Sequence, residues 1–438
     1  DKVDADIVFE RRDGDLRLSE ENASTPFGLT ELRVVASAHE GHWQLAGAFA
    51  GRTLGEASAR LNLRTRADQR WPDAETPIDG QVDGHVANLG IWGTWLPPGW
   101  RLSGELRTSA TVGGRVGAPD YAGEVLVSNA AVRNLLLGVD VSQGEALLRL
   151  RGASAEIERF TLRGGEGTAS IGGHIDLAGR KPGLLTLTAE RFRVLGRVDR
   201  QLTASGSLTM DMVGDQPRLR GNVRVDEGLF DLGRSDAPSL DDDVTLRRAP
   251  LADPEVQPAA PPRPRRQAQV AVDLDLGERL RVRGRGLDTT LTGKLKVGSS
   301  AGRLALNGIV SAAGGNYAAY GQKLDIDRGL VIFSGDVENP ALDVLALRPD
   351  LDVQVGVAIT GTLMAPRVRL YAGTDMSDSD KLSWLVLGRA SDGLARADTA
   401  LLQRAAVALL AGEQGEAPTD TLLRNLGLDT LSLRQTGE

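Results

Sequence analysis

From Leu351 to Ile359 every second residue is aliphatic: Leu351, Val353, Val355, Val357 and Ile359, with Asp352, Gln354, Gly356 and Ala358 between them. The same alternation joins Val270, Val272, Leu274 and Leu276, spaced by Ala271, Asp273 and Asp275. It resumes at Leu280 and Val282, flanked by Arg279, Arg281 and Arg283. Successive side chains of a strand point to opposite faces, so period two belongs to a sheet with one apolar face and one wet face. Antiparallel sheets accept that asymmetry. The aliphatic and often β-branched side chains suit a pleated surface.

Composition narrows the kind of sheet. Glycine supplies 53 of 438 residues, and aromatics only 4%, although hydrophobics reach 41%. A compact core of this size draws more of its bulk from Phe, Tyr and Trp. A thin, curved, many-turned sheet needs glycine instead. The net charge of −8 is spread along the chain. That argues against a nucleic-acid partner, whose footprint is a basic face. With no cysteine, disulfides, thiolate catalysis and Cys–zinc sites are excluded together. No apolar run of about 18 residues offers a membrane-spanning helix, and no signal peptide is visible. The chain opens at Asp1 in mid-pattern and stops at Glu438 just after an expected strand, and so reads as a fragment of something longer.

A weak repeat runs through the chain. Gly104-Glu105-Leu106, Gly206-Ser207-Leu208 and Gly293-Lys294-Leu295 each open a block, followed by Gly123-Glu124-Val125, Gly221-Asn222-Val223 and Gly308-Ile309-Val310. Successive blocks lie 102 and 87 residues apart by their first glycine and 98 and 87 by their second. Two marks that keep nearly the same offset fit stacked, quasi-one-dimensional units. The alternative is that Gly-x-Leu is simply common in β-rich chains. The expected organisation is a repetitive β region over 1–248, a Pro-rich insertion over 249–268 and a C-terminal domain over 269–438. The insertion carries six prolines between Ala249 and Arg266, and proline cannot donate to a strand ladder. Its basic tip, Arg263, Arg265 and Arg266, is read as solvated, with an anionic lipid or a partner as the alternative.

Two or three short helices are expected near the C-terminus. Ser377 to Arg389 begins with Ser-x-x-Asp (Ser377, Asp380), a capping-box-like start with Asp in place of Glu or Gln. Leu382, Leu385 and Val386 then share a face. Asp398 to Leu410 is alanine-rich and apolar on most sides, Gly412 ends it, and Thr419 to Asn425 adds a short third helix before a strand over Leu428 to Leu433.

Candidate chemistry is sparse. His39-x-x-His42 has a spacing compatible with two metal ligands, but no third ligand is near and the local pattern is strand and loop. Asp241-Asp242-Asp243 and the set Asp375, Asp378, Asp380 follow no EF-hand spacing. Loop solvation accounts for the first, and helix N-terminal charge for the second. Gly164-Gly165 sits in no phosphate-loop or dinucleotide fingerprint. Beyond His39 and His42 only His85 and His174 occur, and no serine occupies a nucleophile elbow. The expectation is no enzyme, no cofactor and no metal.

The apolar face remains. Some 370 residues at about 12 per strand and turn would make ~30 strands, or ~150 Å of sheet at ~4.8 Å each. A flat sheet of that extent would aggregate, so it is expected to fold over its apolar face and make a groove. Acyl chains could fill the groove, or its own side chains could close it as an ordinary β core. The groove candidates are Val270, Val272, Leu274, Leu276, Leu280, Val282, Leu304, Leu306, Val353, Val355, Val357 and Ile359.

A longer set of residues carries a family resemblance. It comprises Gly315-x-Tyr317, Ala319-Tyr320-Gly321-Gln322, Leu324-x-Ile326-x-x-Gly329, Phe333-x-Gly335 and Asn339-Pro340-x-Leu342, then Val355-Gly356-Val357, Gly361-Thr362, Pro366 and Leu382-Ser383-Trp384-Leu385-Val386-Leu387-Gly388-Arg389. In this order and spacing they resemble the C-terminal domain of the TamB family, the inner-membrane component of the bacterial translocation and assembly module. The likeness covers about residues 269 to 433, while 1 to 248 is similar only in general to the family's repetitive β region. The resemblance implies a β-taco, a long sheet folded over an apolar groove. It also implies a periplasmic protein held in the inner membrane by an N-terminal helix, with phospholipid acyl chains as cargo. An outer-membrane Omp85-class barrel (TamA-like) would be the partner, met through a C-terminal end expected beyond Glu438. The other function implied is a chaperone-like scaffold for outer-membrane protein assembly. Ala372-Gly373-Thr374 departs from the family's Ser-x-Pro-like turn and bears on how the helix is entered.

Overall fold

The computed structural model describes residues 2–232 and 268–391, except 16, 21–22, 27, 53, 98, 180–182, 214–215, 301–302 and 320–321, together with Leu402. The chain is mainly β. Twenty-one strands belong to one sheet and two more form a separate hairpin. The described residues fall into two compact units: the first runs to Asp226 and takes the residues up to Val272 that open the next strand, and the second takes Glu227 onward and resumes at Asp273.

The first unit is a meander. Its strands are β1 (Ala5–Glu10), β2 (Arg17–Glu20), β3 (Ala23–Pro26), β4 (Leu29–His39), β5 (His42–Gly51), β6 (Gly55–Arg64), β7 (Ile78–Val86), β8 (Trp100–Arg115), β9 (Ala118–Asn134), β10 (Val139–Gly152), β11 (Ser154–Gly164), β12 (Gly167–Asp176), β13 (Leu184–Gly196), β14 (Arg200–Val213) and most of β15 (Gln216–Asp231). From β4 to β14 each pairs antiparallel with the next. β1 pairs with β4, and β2 with β3 forms the separate hairpin. A 3-10 turn at Leu89–Trp95 leads into β8, capped by the Asn88 side chain on the Gly90 N–H.

Many of these strands are long. β9 has 17 residues and β8 has 16, against the usual five or six. Fewer, longer strands therefore replace the ~30 short ones expected from a 12-residue unit. Val125, Leu148 and Ile157 stand opposite one another on one face. On the other face Glu124, Arg149 and Glu156 do the same. The alternation read from sequence thus holds across neighbouring strands, which is what sets a register.

The second unit holds the end of β15, then the end of β16 (Gln269–Asp275), β17 (Leu280–Gly284), β18 (Leu287–Ser300), β19 (Arg303–Ala319), β20 (Gln322–Gly335), β21 (Ala341–Leu347), β22 (Val355–Thr362), β23 (Ala365–Ala372) and helix α1 (Asp378–Leu387). β17 to β23 continue as an antiparallel meander. One pairing is parallel: Gly228–Asp231 of β15 runs beside Leu280–Arg283 of β17. The connection from β15 to β16 contains the expected Pro-rich insertion and Asp241-Asp242-Asp243, which lie outside the described residues. The expected helices Asp398 to Leu410 (apart from Leu402) and Thr419 to Asn425, and the strand Leu428 to Leu433, also lie outside them.

The repeat glycines have a geometric meaning. Gly206 and Gly221 have φ of +158° and +150°, and a Cβ on either would sit 2.2 and 2.0 Å from the carbonyl oxygens of Asn222 and Ser207. Gly293 and Gly308, at +152° and +136°, stand in the same reciprocal relation to Ile309 and Lys294, at 2.3 and 2.4 Å. In the last pair Gly293 opposes Val310 and Gly308 opposes Leu295. Backbone fills the space a side chain would need, so only glycine fits.

α1 is built as its sequence announces. The Asp380 N–H donates to Ser377 Oγ at 3.1 Å, and Ser377 Oγ donates to the Asp380 carboxylate at 2.7 Å. Gly388 closes the helix in the left-handed region at φ +75°, the usual role of a C-terminal glycine.

Candidate functional site

Register assembles one apolar face in the second unit. Val355, Val357 and Ile359 of β22 oppose Ala372, Leu370 and Val368 of β23. On the other side Val357 and Ile359 oppose Ala346 and Val344 of β21. Leu342 opposes Val331 of β20, Val331 opposes Val310 of β19, and Val310 opposes Gly293 of β18. Leu280 and Val282 of β17 extend the face through Leu291 and Thr289. The reverse face is mixed, with Ile309, Ile332 and buried Leu345 standing among ion pairs. Arg281 holds Asp288 with two bonds of 2.7 and 2.5 Å, Arg283 meets Asp231 at 3.0 Å, and Arg328 meets Asp343 at 3.1 Å. The Arg281 guanidinium keeps the Asp288 carboxyl below the usual carboxylate range.

Burial along the apolar face is graded. Under α1, Leu324, Ala346 and Val357 form a sealed cluster with Leu385, against which Ile359, Val368 and Leu370 pack. Leu382 and Val386 pack on Leu370, Leu387 and Leu402. Arg348 donates to the carbonyls of Trp384 and Leu385 at 2.9 and 2.8 Å, and Gln322 donates to that of Val386 at 3.0 Å. These bonds satisfy the orphan carbonyls at the helix end. Away from α1 the face is mixed: Leu280, Leu295 and Val310 are buried, while Val282, Val297, Leu306, Val331, Phe333, Leu342 and Val344 are half-buried.

The expected groove residues distribute unevenly. Leu280, Val282, Leu306, Val355, Val357 and Ile359 lie on this face. Leu304 reaches the hairpin end opposite Ser299 and is 63% exposed. Val353 is half-buried but precedes β22 instead of belonging to it. Asp350 takes a left-handed φ of +59°, so the stretch before Val355 cannot join the ladder as its alternation implied. Val270, Val272 and Leu274 are half-buried on β16, alternating with exposed Ala271 and Asp273. Leu276, beyond the strand, is buried. Val270 and Val272 fall in the first unit. Counting alternation does not single out Val331, Phe333, Leu342 and Val344. β20 reads as a continuous apolar run, Leu330-Val331-Ile332-Phe333, and only cross-strand register tells its two faces apart.

Other polar candidates resolve into local structure. His39 and His42 flank the two-residue turn Glu40-Gly41 and face each other across the hairpin. The His39 ring reaches Asp4 Oδ1 at 2.5 Å and Asp6 Oδ1 at 3.1 Å. These carboxylates raise its pKa above 6.5. Asp378 pairs with Lys381 at 2.9 Å, while Asp380 also accepts from Ser391. A concavity of about 690 Å³ on the first unit is lined by Glu56, Asp83, His85, Arg107, Ser109 and Glu124, among others. Its polar groups have partners: His85 Nε2 lies 2.8 Å and Arg107 2.5 Å from Glu105, which is outside the lining, and Ser109 donates to Asp83 at 2.7 Å. His85, foremost, and Arg107 hold the Glu105 carboxyl below its usual range.

Comparison with known proteins agrees with a sheet of this kind. The model of the TamB C-terminal domain matches residues 158–438. That match opens inside β11, well upstream of residue 269, where the sequence likeness was strongest. The chain is 25% identical over 321 residues to the translocation and assembly module subunit TamB of Haemophilus influenzae, an alignment covering 69% of this chain and 24% of that relative. It therefore spans about a quarter of that protein's length. With more than half of its residues matched by the family model, this chain belongs to the TamB family.

Proposed function

We propose that the apolar face of β17–β23 is a non-enzymatic conduit for phospholipid acyl chains between the two membranes of a Gram-negative envelope. The face works with an outer-membrane Omp85-class barrel. The observation that carries this reading is the graded burial. Beyond α1, Val282, Leu306, Val331, Leu342 and Val344 stay half-exposed along one continuous face, between the buried Leu280, Leu295 and Val310. An ordinary core would seal such side chains. An acyl chain of about 15 methylenes would gain roughly 12 kcal/mol from a fully apolar lining. A lining without polar landmarks lets the chain slide from one aliphatic contact to the next. The role proposed needs no helix across the membrane in this part of the chain, and among the described residues none is long and apolar enough for one.

A second reading has its own support. The relative's name states translocation and assembly, and an open sheet edge can pair with client strands. Photo-crosslinkers at Val331, Leu342 and Ile359, activated in cells, separate the two. Lipid adducts are the expected product. Adducts to outer-membrane polypeptides without lipid would replace the conduit with the scaffold.

A further inference from the structure

Three of the four most exposed large hydrophobics among the described residues stand together: Leu135 at 77%, Leu136 at 70% and Val198 at 70%. They occupy two neighbouring turns at one end of the first unit. The buried Asn134 holds the β9–β10 turn, accepting from the Leu137 N–H at 3.0 Å, and the Gly138 N–H closes on its carbonyl at 2.8 Å. The β13–β14 turn is bolted to it. Gly196 N–H donates to the Gly138 carbonyl at 2.7 Å, and Arg197 Nη1 to the Leu136 carbonyl at 2.8 Å. Gly99, before β8, sits beside Leu136 and Asn134. The leucines are therefore displayed by a fixed scaffold, not left on a loose loop.

The charge around these tips runs against the molecule as a whole. Arg101 opposes Arg133 directly across β8 and β9, a like-charge pairing that is unfavourable in isolation. Arg197 and Arg200 share Asp199, and Arg133 meets Asp140 at 2.8 Å. Four arginines against two aspartates leave a local excess of positive charge in a chain of net −8. Half-buried Trp100 pairs with Asn134 at the base of the turn.

We propose that this end of the first unit docks on an anionic phospholipid surface. Leu135, Leu136 and Val198 would enter the interfacial layer while Arg101 and Arg133 meet lipid phosphates. Exposed aliphatic tips mark an interaction surface. Long basic side chains around them complement an anionic leaflet. A protein partner would satisfy the aliphatics but gives no reason for the opposed arginines. The proposal does not rest on acyl-chain carriage, since a scaffold would dock in the same way.

The experiment is flotation of the 438-residue chain with vesicles of phosphatidylglycerol and phosphatidylethanolamine, or of phosphatidylcholine alone. The expected result is co-flotation with the anionic vesicles, at least tenfold weaker for phosphatidylcholine. Leu135→Ser with Leu136→Ser should lose tenfold or more at unchanged Tm, Arg101→Glu should lose only the anionic preference, and Met364→Ser, as exposed at 71% but in the β22–β23 turn, should float as the parent does. No flotation of the parent chain overturns the proposal, as does a double variant that floats undiminished. Equal loss in Met364→Ser would make the binding a property of any exposed apolar side chain and overturn the assignment to these turns. Self-association abolished by the double variant, without vesicle binding by the parent, would make the patch a protein interface.

Discussion

Gly293 and Gly308 illustrate how far single residues reach here. Their fixed offsets were visible in the sequence, but not their purpose, because the close approach exists only across the strand pair. Ala at Gly308 would place a Cβ 2.4 Å from the Lys294 carbonyl at a φ of +136°. The expected cost is about 2 kcal/mol or more. Gly113 has nothing within 4 Å of its would-be Cβ, so Gly113→Ala should leave Tm within a degree or two. Comparing the two variants by thermal unfolding checks the steric account, and equal effects would refute it. His39 makes a second prediction at this scale. Asp4 and Asp6 raise its pKa above 6.5. Their contribution to holding β1 on β4 is then complete below 6.5 and disappears as pH climbs through the raised value. Amide exchange in β1 should accelerate over that window, and His39→Gln should abolish the pH dependence. The ring is 54% exposed, so the effect is local and salt-sensitive.

At the scale of elements, α1 was the most legible part of the chain. Its cap and apolar face lie where the sequence puts them, because each is a local signal, while Gly388 ends it short of the expected Arg389. β22 was legible only in part. Alternation runs back to Leu351, yet the strand starts at Val355, since Asp350 turns the backbone. Arg348 points instead to the end of α1. The Ser391 and Ser377 hydroxyls hold the Asp380 carboxyl below its usual range, the Ser391 bond foremost. Depressed in this way, Asp380 stabilises the helix entry above the ordinary carboxylate range, and the effect is lost as pH falls through its lowered value. Asp380→Asn should remove this acid-side dependence in amide exchange of α1. Leu385→Asp would bury a charge against Leu324, Ala346 and Val357. It should release the helix and open the β20–β23 face, read as faster proteolysis after Ala372 with β17–β21 still protected. Protection lost throughout the sheet would mean that α1 belongs to the core of the second unit instead of covering its face.

For the whole molecule, sheet and alternation were legible because they depend on side-chain period. Strand length was not, since glycine closes two-residue turns, as at Gly41 and Gly286, and also stands inside strands, as at Gly206 and Gly308, and so marks no boundary by itself. The leucine turn at Leu135–Leu137 was hidden as well. Three apolar residues between two strands look like core until the turn is known to project. The central claim concerns what the half-buried face of β17–β23 holds. The most direct measurement is mass spectrometry of organic extracts from the chain purified from a Gram-negative periplasm, beside the variant Leu342→Asp with Leu306→Asp. Phospholipid should be recovered with the parent chain and fall several-fold in the variant at unchanged Tm. No phospholipid with the parent, or the same amount with both, would contradict the account.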